Sequence, residues 1–514
     1  MPKPFDFGSV NLNAGGDSSG ARPSSETPFC IAILGDFSGR ANRKLSDSQT
    51  IGKRRTVQVD RDNFDEVLAG FGAEIQLPIG DSGSLRLRFS DLDDFHPDRV
   101  FEHLESFGKL RELRARLQDP STFEKAAEEL GLRSTVPVET EPRPADGSRP
   151  VAPSATRLAS GSLLDEMIEQ TESRASEARP KRAPDEVREF AQRAAAKYLV
   201  STPDPRQGEI LTVMDRAISG LMRAVLHNPD FQALEAIWRA TFLLVRQLDT
   251  SSQLKLSLID ISKEELAADL GSGADLRDSG AYRLLVEKSV ETPGAEPWAI
   301  IVGNYSFGAE KEDAALLSQL ARIARRAGAP FLAGARPQLL GCSSLASTPC
   351  PRDWNASFDR SCWSELRGLP ESEAVGLALP RFLLRLPYGK DTSPLESFDF
   401  EEFTELPGHE DYLWGNPAFL VALLLGQCFS EAGWDMRPGT MTEVERLPLH
   451  VYRRDGESEP KPCAEVLLTE DAVERMIEEG LIPVVSFKNR DSVRVARFQS
   501  VAAPLRPLAG RWGE

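Results

Sequence analysis

The chain has 514 residues, of which 79 are acidic and 61 basic, so its formal net charge is -18. This length exceeds the roughly 250–300 residues at which a single hydrophobic core stops growing, so we expect two or three domains. The acidic balance argues against a general nucleic-acid binder, because phosphate binding needs a basic face. The six cysteines are too sparse and irregularly spaced for a disulfide framework, and we expect free thiols in a reducing compartment.

The N-terminal residues carry no secretory signal, since residues 1–16 lack an apolar stretch behind a basic region. The longest apolar run falls within residues 418–429 and is shorter than the roughly 18–20 residues of a membrane helix. We therefore predict a cytoplasmic protein without membrane insertion.

The first predicted domain covers residues 29–133. Before it, residues 1–28 are predicted to be a flexible lead-in, because residues 11–28 are rich in Gly, Ser and Pro. Within this lead-in, residues 5–13 alternate as a weak edge strand does. Apolar runs predict strands in the domain at residues 29–34 and 85–89. A helix is predicted to begin at Pro97, since proline is tolerated in the first turn.

Residues 134–185 are predicted to form a linker, because prolines recur between residues 134 and 160 and few large apolar residues accompany them. Within it, residues 162–171 (SLLDEMIEQT) have the pattern of a short amphipathic helix. A helix this short is marginal in water, so we expect it to form against a partner surface.

The second predicted domain covers residues 186–503, and residues 504–514 form a tail. Apolar runs predict strands at residues 254–259, 299–302, 331–333 and 375–379. Helical periodicity predicts helices at residues 209–226, 229–247 and 311–327. Strands separated by helices imply an α/β fold with mixed sheets covered by helices.

Two clusters of polar residues have a composition that chemical sites also have. Residues 35–40 (GDFSGR) follow a strand but lack the Gly-Lys-Ser/Thr of a P-loop, so a tight turn capped by Asp36 or Ser38 is favoured over nucleotide binding. Residues 92–98 (LDDFHPD) combine three acids with a histidine, and helix capping is favoured over a metal site. We predict no catalytic residue, metal or cofactor.

Two arginines beside the strand at residues 375–379 need acidic or carbonyl partners, because a guanidinium group near an apolar strand is otherwise unsatisfied. They are Arg381 and Arg385, and the candidate partners are Glu410 and Asp411. We favour structural ion pairs over an anion-binding site.

The segment VGLALPRFLLRLPYG, together with HEDYLWGN, resembles the large subunit of the type VI secretion contractile sheath. This resemblance extends from about residue 211 to about residue 501. Three earlier segments resemble the small sheath subunit, which is normally a separate chain: residues 29–40, 59–68 and 92–104. We therefore interpret the chain as a fusion of two sheath-type domains joined by a Pro-rich linker.

The resemblance implies a non-enzymatic structural protein. In that family the two subunits form a heterodimer whose copies stack helically around an inner tube, so the implied partners are other sheath, inner-tube and baseplate proteins. The family's AAA-type disassembly ATPase grips a short helix, which the resemblance places at residues 162–171, with Leu163, Leu164, Met167 and Ile168 on its apolar face. The alternative is that this helix only attaches the linker to the second domain.

The chain ends soon after the last matching segment, whereas family large subunits continue into a C-terminal part. This difference leaves a second hypothesis open, in which the chain is a sheath-derived accessory or capping protein that does not polymerise alone. An uncharacterised α/β enzyme is a remote third hypothesis, since fold class alone does not fix function.

Overall fold

The computed structural model describes residues 23–79, 83–130, 204, 206–273, 275–355, 360–404, 406–454 and 456–512. These residues fall into two compact units, one from Met1–Lys109 and Asp215–Glu514, the other from Leu110–Met214. The predicted linker, its short helix and the edge strand at residues 5–13 lie outside the described residues.

The strands are β1 (Phe29–Gly35), β2 (Val57–Val59), β3 (Ala73–Ile79), β4 (Gly83–Phe89), β5 (Leu254–Asp260), β6 (Trp298–Phe307), β7 (Phe331–Ala335), β8 (Val375–Leu379), β9 (Phe382–Leu383), β10 (Trp414–Gly415), β11 (Glu443–Val444), β12 (His450–Arg454), β13 (Glu457–Lys461), β14 (Ile482–Ser486) and β15 (Val493–Val495).

The helices are α1 (Phe64–Phe71), α2 (Pro97–His103), α3 (Glu105–Gln118), α4 (Phe123–Glu129), α5 (Gln207–Leu226), α6 (Pro229–Gln247), α7 (Lys263–Gly271), α8 (Gly280–Tyr282, continuing as a π-helix over Arg283–Glu291), α9 (Lys311–Ala327), α10 (Ser361–Arg367), α11 (Ala418–Ala432) and α12 (Glu470–Glu478). Of the helices in the described ranges, none is both long enough and apolar enough to cross a membrane.

A nine-stranded mixed sheet runs through the first unit in the order β11-β15-β14-β8-β7-β6-β1-β5-β2. The strands from β5 to β14 in this order pair in parallel, whereas β2, β15 and β11 join by antiparallel pairings. Three antiparallel pairs, β3–β4, β9–β10 and β12–β13, form separate two-stranded sheets in the described part of the chain. The predicted α/β class with mixed sheets is confirmed.

Strand β1 lies inside this sheet, between β5 and β6. We call residues 29–109 the N-terminal part and residues 215–512 the C-terminal part, so β1 belongs to the N-terminal part and both its neighbours to the C-terminal part. All seven residues of β1 are buried, as expected for a parallel strand covered on both faces. The two parts therefore share one sheet, and the domain boundaries drawn from composition stay predictions.

Helices cover both faces of the sheet. On one face α11 packs against β1, β6, β7 and β8, and α6 packs against α11. There the Phe29 ring stacks on Phe429 with centroids 4.7 Å apart. On the other face Ala32 and Leu34 of β1 join a buried core with apolar residues of α7, α9 and α10. Strand β1 thus contributes side chains to both cores.

The second unit contains the C-terminal end of α3, all of α4 and the start of α5. Phe123 and Ala126 of α4 are buried. The Gln207 side-chain amide donates to the carbonyl oxygens of Leu117 and Gln118 at 2.8 and 2.9 Å. These bonds satisfy carbonyl groups at the C-terminal end of α3, which have no partner within the helix.

The predicted helices and strands agree best with the structure where the apolar pattern in the sequence is strong. The predicted bounds of α9 and β8 match the observed Lys311–Ala327 and Val375–Leu379. Strand β6 is longer than predicted, because Asn304 and Ser306 are polar yet continue the strand beyond its apolar run. Its pairing with β7 shifts register between Val302 and Ser306.

Candidate functional site

The arginine-rich segment after β8 and the later HEDYLWGN segment lie side by side. Short strand β9 pairs with β10 in antiparallel register, with Leu383 opposite Trp414. Leu383, Tyr412 and Trp414 form a small buried cluster against which Phe403 packs. The two segments that carry the resemblance therefore form one structural feature, at the end of β8.

Arg385 is buried between two glutamates. Its Nε donates to Glu235 Oε1 at 2.9 Å, and its Nη1 and Nη2 donate to the two oxygens of Glu402 at 2.8 and 3.1 Å. Glu235 lies on α6 and is fully buried, and Glu402 is almost fully buried. This two-pronged geometry is the strongest that an arginine makes with a carboxylate, and it ties the segment to helix α6.

Further groups complete the charge balance around Arg385. Arg239 Nε donates to Glu235 Oε1 at 2.6 Å, and the Arg385 guanidinium lies 4.3 Å from the centre of the Tyr388 ring. Burial disfavours a charged Glu402, but Arg385 and the Tyr388 amide outweigh it and lower the pKa of Glu402 from 4.5 to about 2. Burial likewise opposes the charge on Arg385, yet its glutamates raise the pKa of Arg385 well above its ordinary value. Glu402 and Arg385 thus stay ionised at neutral pH.

Arg381 lies nearer the surface and pairs with two different acids. Its Nε donates to Glu465 Oε1 at 2.7 Å, and its Nη2 donates to Glu410 Oε1 at 3.0 Å. His409 Nε2 also lies 3.1 Å from Glu465 Oε1. Despite burial, which acts in the opposite direction, His409 and Arg381 lower the pKa of Glu465 to about 2. The ion pair between Arg381 and Glu410 joins the two segments at their exposed side.

The predicted site residues are thus only partly brought together. Arg381 contacts Glu410, whereas the acids beside Arg385 are Glu235 and Glu402, which sequence reasoning missed. Asp411 Oδ1 lies 3.6 Å from Nδ1 of a histidine, His227. The four helix residues predicted to bind a partner, Leu163, Leu164, Met167 and Ile168, lie outside the described residues.

The GDFSGR loop forms the predicted capped turn. The Asp36 carboxylate accepts the backbone amides of Arg40 and Ala41 at 2.6 and 2.8 Å. Gly39 has a φ of 75°, and a Cβ there would collide with the carbonyl oxygen of Glu74, so only glycine fits without strain. Burial raises the pKa of Asp36, although the amides act against it.

The LDDFHPD segment also caps a helix. His96 Nδ1 accepts the amide of Asp98 at 3.2 Å, at the first turn of α2. Asp98 in turn accepts the amides of Glu396 and Ser397, both at 3.1 Å. Across the described ranges, no group of three or more His, Cys, Asp or Glu residues is arranged to hold a metal ion.

A second buried charge cluster joins the N-terminal part to α7 and centres on Glu265, which is fully buried. Its carboxylate accepts from Arg54 Nη2 at 2.6 Å, from Arg40 Nε at 3.2 Å and from the Asp47 amide at 2.8 Å. Burial opposes ionisation, but these donors lower the pKa of Glu265 to about 2. The loops after β1 are therefore fixed to the C-terminal part by charge.

An aromatic cluster joins the same two parts around Trp238 of α6, which is fully buried. Its ring lies 5.2 Å from Phe37, 5.8 Å from Phe64 and 5.6 Å from Phe71, measured between centroids. The indole Nε1 donates to the Phe37 carbonyl at 3.0 Å. All three phenylalanines belong to the N-terminal part, so Trp238 anchors the contact between the parts.

Two family models match two different parts of the chain. Residues 208–502 match the family model "EvpB/VC_A0108, tail sheath N-terminal domain", and residues 9–131 match "Type VI secretion system, VipA, VC_A0107 or Hcp2". The type VI secretion system sheath protein TssC1 of Pseudomonas aeruginosa is 32% identical over 304 residues, which is 57% of this chain and 61% of TssC1.

The sheath protein TssB1 of the same organism is 26% identical over 124 residues, which is 22% of this chain and 70% of TssB1. The chain thus combines a TssB-like region with a TssC-like region, and it spans about three fifths of the TssC1 length. Because the first family model covers more than half of it, the chain belongs to the EvpB/VC_A0108 tail sheath family of type VI secretion.

Proposed function

We propose that this chain is a non-enzymatic structural component of a type VI secretion contractile sheath, in which the small-subunit-like and large-subunit-like regions fold as one protomer. The observation that carries the proposal is the position of β1 between β5 and β6. Backbone amide and carbonyl groups on both edges of β1 are paired with strands of the C-terminal part. Without β1, the facing edges of β5 and β6 would be left unpaired, which is costly in a buried sheet.

We also propose that the chain catalyses no reaction. The charged side chains around Arg385 and Glu265 bond to one another, an arrangement that fixes geometry. The two named relatives, TssC1 and TssB1, are sheath proteins. A nucleotide-hydrolysis assay on the purified chain is expected to give only background rates, and turnover above background would contradict this part.

We propose that the partners of this chain are other sheath, inner-tube and baseplate proteins of the apparatus. We also propose that the chain works in the cytoplasm. The formal net charge of -18 favours protein partners over nucleic acid. An AAA-type disassembly ATPase is a further proposed partner, through the apolar residues of the helix at 162–171. A labelled peptide of these residues that failed to bind the cognate ATPase would contradict this docking.

Negative-stain electron microscopy tests the proposed function. The purified chain, mixed with separately encoded sheath subunits, is expected to be incorporated into the particles that they form. If the chain neither co-sediments with these subunits nor alters their particles, a sheath role is excluded. Regular helical filaments of the chain alone would identify a complete sheath subunit, whereas binding restricted to particle ends would identify the capping alternative.

A further inference from the structure

Three of the five histidines in the chain meet at the first four residues of the HEDYLWGN segment, which we call the HEDY stretch. His409 belongs to the stretch. His227 Nδ1 lies 3.6 Å from Asp411 Oδ1, and His450 Nδ1 lies 2.8 Å from the Tyr412 hydroxyl oxygen. Histidine is the side chain whose ordinary pKa is nearest neutral pH, so acidification acts on the surroundings of this one stretch.

The antiparallel pair β12–β13, which we call the ribbon, contacts the HEDY stretch through two residues that face each other. His450 of β12 is paired with Lys461 of β13. His450 is buried, whereas the other described residues of both strands are exposed or half-buried. Lys461 Nζ lies 3.3 Å from His409 Nδ1 and 5.3 and 5.4 Å from the ring centres of Tyr412 and Trp414. Two isolated strands are marginally stable in water, so these contacts hold the ribbon in place.

The contact between Lys461 and His409 requires a neutral imidazole ring. An ammonium group can only donate, so Nδ1 of His409 accepts, and the ring proton lies on Nε2. This nitrogen lies 3.1 Å from Glu465 Oε1 and 4.0 Å from Glu410 Oε1, and Arg381 bonds to both acids. A second ring proton would point from Nδ1 at the ammonium group. Protonated His409 therefore keeps its contact with Glu465 and loses the contact with Lys461.

The surroundings of His450 also disfavour a charged ring. Burial lowers the pKa of His450, the charge of Glu402 opposes this effect, and the charge of Lys461 adds to it. Its other titratable neighbours, Tyr412 and Tyr452, are phenols that stay neutral at this pH. Because the folded state favours the neutral ring, the stability that His450 contributes is lost as the pH falls below 6.5, its ordinary pKa.

His227, which directly follows α5, responds to acid in the opposite direction. Its Nε2 lies 3.5 Å from Glu402 Oε1, and Asp411 faces its other nitrogen, although Arg385 shares Glu402 with it. A proton on His227 adds attraction to both carboxylates. Gln232 of α6 also donates to two carbonyl oxygens of the HEDY stretch at 3.2 and 3.4 Å. The stretch therefore stays attached to the helices in acid.

We propose that the ribbon is attached to the HEDY stretch by a proton-sensitive contact: it stays attached while His409 and His450 are neutral, and it detaches when both are protonated. The movement is confined to the ribbon, because Cys463 and Ala464, which follow β13, are fully buried. The Cys463 carbonyl also accepts the Leu383 amide of β9 at 2.7 Å. This conformational change goes beyond the proposed sheath function and does not depend on it, since every group involved belongs to one chain.

Hydrogen exchange of the full chain, measured by mass spectrometry at about pH 7.5 and about pH 5.5, tests the contact. Rates are expressed as protection factors, which remove the intrinsic effect of pH on exchange. We expect protection in the ribbon to fall at least about tenfold, the change that one linked proton produces per pH unit, while β8 stays equally protected. Unchanged protection in the ribbon would overturn the proposal. An equal loss in β8 would indicate global unfolding and would overturn it as well.

A variant that carries His409→Gln with His450→Gln removes both titrating groups. Glutamine keeps a donor and an acceptor and stays neutral at both pH values, so the ribbon should be equally protected at both. A remaining tenfold loss would rule out these histidines as the cause. The matched control is His103→Gln, since the His103 side chain is 62% exposed. It should show the full pH dependence of the unaltered chain, and loss of that dependence would contradict the assignment.

Lys461→Met provides an independent test, because glutamine at the buried position of His450 can itself weaken the ribbon. This variant removes the cation that faces both histidines. The ribbon should be less protected at about pH 7.5, since the bond to His409 is lost, and should lose little more at about pH 5.5, since the repulsion is also absent. An undiminished tenfold effect of pH in this variant would refute the proposed opposition between Lys461 and the histidines.

Discussion

Replacement of Arg385 by leucine is expected to lower the free energy of unfolding by about 3–5 kcal/mol, the usual cost of removing one partner from a buried ion pair. The cost arises because Glu402 would remain buried without the arginine that pairs with it, and Glu235 would keep only Arg239. Both side chains have at most 1% of their surface exposed, so water cannot replace the lost donors. Urea unfolding monitored by tryptophan fluorescence measures the change.

A suitable control is Arg454→Leu. Arg454 Nη1 lies 3.8 Å from Glu459 Oε2, and both side chains are about half exposed. The free energy of unfolding should therefore fall by no more than about 1 kcal/mol. If Arg385→Leu were as stable as the unaltered protein, Arg385 could not be buried between two carboxylates as described.

Replacement of Trp238 by alanine is expected to cost about 3–5 kcal/mol, as for other fully buried aromatic residues. The change removes the ring that contacts Phe37, Phe64 and Phe71, and it leaves the Phe37 carbonyl without its indole donor. Because these groups belong to the N-terminal part, the loss should also weaken the attachment between the two parts. Thermal unfolding measures the loss of stability, and limited proteolysis measures how firmly the N-terminal part stays attached.

Trp354→Ala provides the control for this prediction. Trp354 is only partly buried, and its indole donates to Thr348 within the C-terminal part. It should cost less stability and leave the attachment of the N-terminal part unchanged. Equal weakening of that attachment by both variants would contradict the role given to Trp238.

The elements that were predicted well are those whose signal is local. Strand β8 is an apolar run, and α9 has a regular apolar stripe, so a short window contains the whole pattern. Strands β11 and β15 have two and three residues, too few to show alternation. They exist because neighbouring strands present edges for pairing, which a sequence window does not contain.

The acidic partners of Arg385 were not predicted, because they lie outside the sequence segments that contain the arginines. Glu235 lies 150 residues from Arg385 along the chain, and Glu402, although only 17 residues away, stands outside both motif segments, which cover residues 375–389 and 409–416. One signal for Glu235 was present, since it stands among Leu234, Ile237 and Trp238 on the buried side of α6. An acid on such a face needs a cationic partner, and that rule points to a buried arginine without identifying which one.

Cleavage of the chain between residues 134 and 160 tests whether the two sheath-like regions form one protomer. A protease site inserted there allows the intact protein to fold before the cut. We expect the two fragments to co-elute in gel filtration near the mass of the whole chain, 56.5 kDa, because β1 stays paired with β5 and β6. Fragments that separate as independent soluble monomers would contradict the claim.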